Sequence, residues 1–189
     1  VPELIAILRD PRREANWNNA AVMLGMLGEP AGVDAVVAFI CEPGAGEPSA
    51  SRAWARGNAV AALGYAAHRG HPGALQYLTE GLDPGSWARR GLRGVPGPRQ
   101  PEAGEESEGP AELLVERAVV GLALSGRPEA RAALEGRLRA PGLSPGQRHV
   151  LEVQLAEHGK VAAAGLLRYD GERRGRSDPN PRARPQNQP

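Results

Sequence analysis

Apolar residues recur three and four apart along most of this chain, and small-residue turns cut the pattern into pairs of segments. In residues 19–40, "NAAVMLGMLGEPAGVDAVVAFI", Ala20, Val22, Leu24 and Leu27 make one stripe, and Val33, Val36, Val37 and Ile40 make a second. Such spacing predicts two helices, each with one buried face. Gly28 after the first helix and Pro30 at the start of the second mark the corner between them. The pattern returns in residues 58–82, "NAVAALGYAAHRGHPGALQYLTEGL", with Leu75, Leu78 and Leu82 on the second helix. It returns again in residues 117–138, "RAVVGLALSGRPEARAALEGRL", where Leu134 and Leu138 keep the stripe but Arg131 takes its first place. The fourth and weakest copy is residues 150–167, "VLEVQLAEHGKVAAAGLL".

The expected turn glycines Gly28, Gly70, Gly126 and Gly159 lie 42, 56 and 33 residues apart. The shorter intervals are the size of a helical hairpin, and the longest contains an insertion. "VPELIAILRDP" at the start reads as the second helix of a preceding hairpin, so nine helices are expected, with repeat sequence missing before Val1. No helix of this kind buries its stripe alone; stacked hairpins do. Gly25 and Gly64 fall inside helices, where each costs about 1 kcal/mol relative to alanine. Each follows a leucine at the buried face, and a missing side chain there lets a neighbouring helix approach closely.

The run "LRDP" followed by "NNAAVMLGMLGEPAGVDAVVAFI" resembles the HEAT repeats of bacterial proteins, in particular the PBS-lyase HEAT-like group. The resemblance rests on Asp10-Pro11 before the first helix, Arg56 near the start of "WARGNAVAALG", Ala-rich packing and Leu-Gly near the helix end. Trp17 in the first unit and Val115 in the third depart from the arginine. It covers residues 1–82 and 111–169. It implies an all-α, right-handed α–α superhelix (solenoid) of about four HEAT-like helical hairpins, with a long inserted loop. The implied division is repeats over 1–86 with the first hairpin truncated, a loop over 87–110, repeats over 111–170 and a tail over 171–189. About function it says little, since HEAT arrays serve many unrelated tasks.

Residues 83–110, "DPGSWARRGLRGVPGPRQPEAGEESEGP", have no apolar period. They are basic first (Arg89, Arg90, Arg93, Arg99) and acidic later (Glu102, Glu105, Glu106, Glu108). That composition predicts a loop, disordered beyond Gly94. "GERRGRSDPNPRARPQNQP", residues 171–189, reads as a solvated, disordered tail. Its arginines Arg173, Arg174, Arg176, Arg182 and Arg184 are diluted by Asp170, Glu172 and Asp178.

Aromatic content of 4% against 41% hydrophobic leaves Ala, Leu and Val to do the packing. The formal charge of +1 points neither to a nucleic-acid binder nor to an acidic solvating protein. One lysine, Lys160, stands against 22 arginines, a skew that reads as GC-rich coding. Cys41 is the only cysteine, which excludes an internal disulfide and a cysteine-rich metal site. No apolar run reaches the roughly 20 residues that span a bilayer. The cytoplasm is the expected compartment, a leader lost ahead of Val1 being the alternative.

Candidate chemistry is sparse. "GLSPG", residues 142–146, matches the Gly-x-Ser-x-Gly elbow, which needs a preceding strand. A helix end precedes it instead, so Ser144 is expected to cap a helix beginning at Pro145. His68, His71, His149 and His158 lack the partners of a metal site and read as turn or surface histidines. "EPGAGEP", residues 42–48, lacks the Lys-Ser/Thr of a phosphate loop and reads as a connection. No catalytic residue, cofactor or metal is assigned.

Trp87 beside Arg89 and Arg90 has two readings: an aromatic–cationic site for phosphates, bases or an acidic partner, or a cover for the apolar edge of the second unit. In HEAT arrays the second helices line a concave face that holds partners. Its outward positions here would be Asp34, Ala38, Gln76, Thr79, Glu80 and Glu135, a mildly acidic, small-residued surface suited to a peptide or helix. The expected function is a non-catalytic scaffold that binds a protein or peptide there or through the Trp87 segment. The resemblance leaves two alternatives: a bilin-lyase-like enzyme subunit, and a nucleic-acid binder of the HEAT-like glycosylase kind. Asp34, Glu80, Glu129 and Glu135 on the second helices argue against nucleic acid.

Overall fold

Prolines set the helix starts. The computed structural model describes residues 1–41, 50–90 and 110–177. Along them run α1 (Pro2–Arg9), α2 (Glu14–Leu27), α3 (Pro30–Cys41), α4 (Ala50–His68), α5 (Pro72–Glu80), α6 (Pro84–Arg89), α7 (Pro110–Ser125), α8 (Pro128–Arg139), α9 (Pro145–Ala164) and α10 (Leu166–Ser177). Seven of these begin at a proline, whose missing N–H is one the first turn leaves unpaired anyway. A 3-10 turn, Pro11–Arg13, joins α1 to α2. The described chain is all-α, with no strand among the described residues.

Three of the four expected corners are where the pattern put them. Gly28, Gly70 and Gly126 take positive φ of 67°, 89° and 59° between α2 and α3, α4 and α5, and α7 and α8. Gly159 does not: it lies inside α9, and the chain turns at Gly165, with φ 78°. Gly28, Gly70 and Gly126 each have a proline two residues on, whereas Gly159 is followed by "KVAAA", which continues the helix. The last pair of helices therefore spans 145–177, not 150–167.

Two boundaries also move. α6 forms inside the segment read as loop, because Asp83 accepts a hydrogen bond from Gly85 N at 3.0 Å and Pro84 opens the turn. α10 carries the chain as helix to Ser177, past residue 171, where a tail was expected. The rest of the expected loop (91–109), the "EPGAGEP" connection and the tail from 178 lie outside the described residues.

The long helices pack in a row: α2 against α4, α4 against α7, α7 against α9. The second helix of each pair sits over a seam of that row. α3 touches α2 and α4, α5 touches α4 and α7, and α8 touches α7 and α9. α1 lies against α2 and α3. The glycines inside helices explain the closeness of the row. A Cβ on Gly25 would collide with the Ala62 carbonyl oxygen, and one on Gly64 with that of Gly121. Backbone meets backbone at both places, as the sequence predicted.

The buried stripe of α2 is Trp17, Ala20, Ala21, Leu24 and Gly25. The expected stripe included Val22 and Leu27, but Val22 is half-buried and Leu27 is 43% exposed. Residues two apart do not share a helix face, so Ala20, Val22 and Leu24 never formed one stripe. On α3, Val33, Val36 and Ile40 are buried as expected, and Val37 packs at their edge. At the third pair Arg131 is exposed and Ala130 is buried in its stead. Trp17 closes α1: its indole N–H donates to the Ile7 and Asp10 carbonyls at 3.1 and 3.2 Å.

Candidate interaction surface

The helix phase holds for the second helices. Asp34 and Ala38 on α3, and Gln76, Thr79 and Glu80 on α5, are exposed; Glu135 on α8 is half-buried. These positions fall into two environments. Around α3 the surface is open. A groove of about 1180 Å³ runs between α1 and α3, and Asp34 and Ala38 line it. Its floor includes Ala31, Ala35 and Ala38, spaced four and three residues apart and so on one helix face. Methyl groups there leave the space that larger side chains would fill. A smaller cleft of about 310 Å³ shares Arg9, Ala35 and Ala38 with it and reaches Phe39 and Cys41. At the rim the side chains of Arg9, Glu29 and Asp34 make no hydrogen bond or ion pair among the described residues. Only Asp34 and Ala38 of this groove were expected; the alanine spacing on α3 was the signal available for the rest.

Around α5 the polar groups are already taken. Glu80 accepts from Gln76 Nε2 at 2.9 Å and from Arg90 Nη2 at 2.8 Å. Those bonds, Gln76 first and Arg90 second, hold the Glu80 carboxyl below its ordinary range. Thr79 Oγ1 donates to the Leu75 carbonyl at 2.9 Å. On α8, Arg131 Nε donates to Glu135 Oε1 at 2.8 Å.

Trp87 takes the second of its two readings. The ring is fully buried, with 0% exposure, and its indole N–H donates to the Gly81 carbonyl at 2.9 Å. It meets Tyr77 edge-on at 5.9 Å between centroids. The Arg90 guanidinium lies 3.9 Å from the Tyr77 ring centre and 4.9 Å from that of Trp87. Trp87 and Arg90 are thus corrected from partner-binding candidates to packing residues. The cause is α6, a six-residue helix that turns the chain back over α7. Arg89 stays exposed, but its Nη2 donates to Asp83 Oδ2 at 2.9 Å, which holds that carboxyl below its ordinary range. Burial, then the contact with Cys41 Sγ at 3.3 Å, pushes the Tyr77 phenol far above its ordinary value. Tyr77 is therefore neutral, and it ties α5 to the end of α3.

The other candidates settle into local roles. Ser144 Oγ accepts from Gln147 N at 3.1 Å while Gln147 Oε1 accepts from Ser144 N at 3.1 Å, a capping box at the start of α9. His71 Nδ1 accepts from Ala74 N at 3.2 Å and caps α5. His68 Nδ1 donates to the Ser125 carbonyl at 2.8 Å, and His158 Nε2 donates to the Arg127 carbonyl at 2.9 Å. The two rings thus hold the α7–α8 corner from α4 and from α9. Among the described residues no three His, Cys, Asp or Glu gather as metal ligands. No described helix is long and apolar enough to cross a membrane. A cleft among Val115, Val119, Leu143 and Val150 measures about 30 Å³, room for a water rather than a ligand.

No family model, curated protein or solved structure matches this chain.

Proposed function

We propose that this chain is a HEAT-like α-solenoid that acts as a non-catalytic interaction scaffold, holding a helix or extended peptide of a partner protein in the α1–α3 groove. The row of long helices with second helices over its seams supports the solenoid reading, since the main packing runs from each pair to the next, with α10 reaching further to Tyr65 of α4. The observation that carries the binding site is the groove itself. It has an alanine floor that admits a close helix backbone, and rim charges Arg9, Glu29 and Asp34 that no described group neutralises. Charges of both signs suit a protein segment better than a polyanion, which requires a basic face. A helical partner segment would lie in the groove with its anchors three and four residues apart.

The test is affinity capture from source-cell lysate with three baits: the native chain, Ala35→Trp, which fills the groove, and Ala132→Trp, which adds the same bulk to the exposed face of α8. A protein retained by the native chain and by Ala132→Trp but lost with Ala35→Trp supports the reading. Equal retention by all three baits places binding elsewhere and ends it.

A further inference from the structure

α10 is joined to the fold unlike any other helix. A single residue, Gly165, separates it from α9, at φ 78° and ψ 150°. Backbone of that kind is essentially confined to glycine. Past it the chain doubles back: Leu166 and Tyr169 pack with Val161 of α9, and Tyr65 of α4 and Leu124 of α7 pack against them. This apolar cluster is separate from the main core. Tyr65 Oη donates to Asp170 Oδ2 at 3.0 Å, and Tyr169 Oη donates to Glu157 Oε2 at 2.6 Å. Asp170 is buried to 7% exposure, so the bond from α4 is an internal one. One short helix thus straps the C-terminal ends of three row helices.

Its apolar dock is a small patch of its own, and no loop absorbs the reversal of direction. Were Gly165 to become helical, α9 and α10 would form one straight helix, and the arm could not reach its own dock. The same dock on a second copy would be chemically identical. Exchange of an identical element keeps every contact and changes only the hinge, and short hinges under strain favour it.

We infer that α10 is an exchangeable arm: two copies of this chain pair by each laying α10 across the Tyr65–Leu124–Val161 surface of the other. The partner is a second copy, because the surface is already shaped to α10. The inference does not rest on the α1–α3 groove, whose residues take no part in it.

The experiment is the molar mass of the full chain by light scattering over a concentration series, with circular dichroism as the check of folding. Gly165→Ala removes the residue that permits the reversal, so it should dimerise at about tenfold lower concentration than the native chain or less. Six Gly/Ser residues inserted after Gly165 relax the hinge and should give a monomer throughout. Gly165→Ala combined with Leu166→Asp should return to monomer, because the exchanged arm loses its dock. A folded Gly165→Ala chain that stays monomeric, or a dimer that survives Leu166→Asp, overturns the inference. Should Gly165→Ala fail to fold, the native chain against the insertion decides: a native dimer lost on insertion supports arm exchange, and identical masses overturn it.

Discussion

Two regions of the surface, the α1–α3 groove and the α5–α6 face, both carry charged side chains and use them in opposite ways. At α5–α6 every charge the sequence offered to a partner has a partner inside the chain. Glu80 pairs with Arg90, Arg89 with Asp83, and the arginine plane covers two aromatic rings. At α1–α3 the α3 side of the floor is alanine methyl groups, and Arg9, Glu29 and Asp34 at the rim stand unpaired among the described residues, while Asp10 pairs with Arg12. An aromatic beside arginines is a binding signal only when the chain cannot fold it inward. Here a proline and an aspartate cap let six residues do so. What remains available for a partner is the plainer surface.

That contrast predicts a hierarchy of effects. Trp87→Ala empties a fully buried site and should cost about 3–5 kcal/mol, read as a lowered urea midpoint. Ala35→Trp, on the open floor of α3, should change stability by about 0.5 kcal/mol or less. Comparable losses from the two would erase the distinction between a packed and an open region. Arg90→Ala comes next, at about 1–2 kcal/mol, since its side chain is 15% exposed and covers both rings. A double-mutant cycle with Glu80→Gln should assign only about 0.2–1 kcal/mol of that to the ion pair, because Glu80 is itself exposed and screened. A coupling of most of the Arg90 effect would mean that charge, not ring coverage, holds the segment.

The pH dependence is the smallest difference. Glu80 and Asp83 both have carboxyl groups held below their ordinary range in the folded chain. Groups depressed in this way contribute stability above their unfolded pKa and lose it as pH falls through the folded value. The window is thus below about pH 4. Both carboxylates are exposed, so the effect is local loosening rather than unfolding. The indole N–H resonance of Trp87 should shift or broaden between pH 5 and pH 3, while the amides of Ala35 and Ala38 change less. An α3 that responds first would reverse the assignment of structural and open regions.

Much of this architecture was legible in the sequence, for a physical reason. A glycine of positive φ with a proline soon after marks a hairpin corner, and Gly28, Gly70 and Gly126 have both. Close helix approach needs a missing Cβ, and Gly25 and Gly64 advertise it. Ser144 and Gln147 stand at the spacing of a capping box. What failed was local chemistry overridden by context. Gly159 sits mid-helix because strong helix formers follow it, and the real corner at Gly165 has no proline to announce it. The segment around Trp87 has no apolar period, yet one tryptophan, one cap and the slot beside Gly81 suffice to fold it. At the interaction surface, periodicity gave exposure correctly for Asp34, Ala38, Gln76, Thr79 and Glu80. It could not tell which of them were already paired, because Arg90 reaches Glu80 across ten residues that include a second helix.

The most direct test of the scaffold reading places a photo-crosslinking amino acid at Ala38 in one preparation and at Thr79 in another, then irradiates both with source-cell lysate. The account predicts a discrete partner adduct from Ala38 and none from Thr79. An adduct from Thr79 with none from Ala38 would contradict it, and would move the binding site to the surface whose charges are already satisfied.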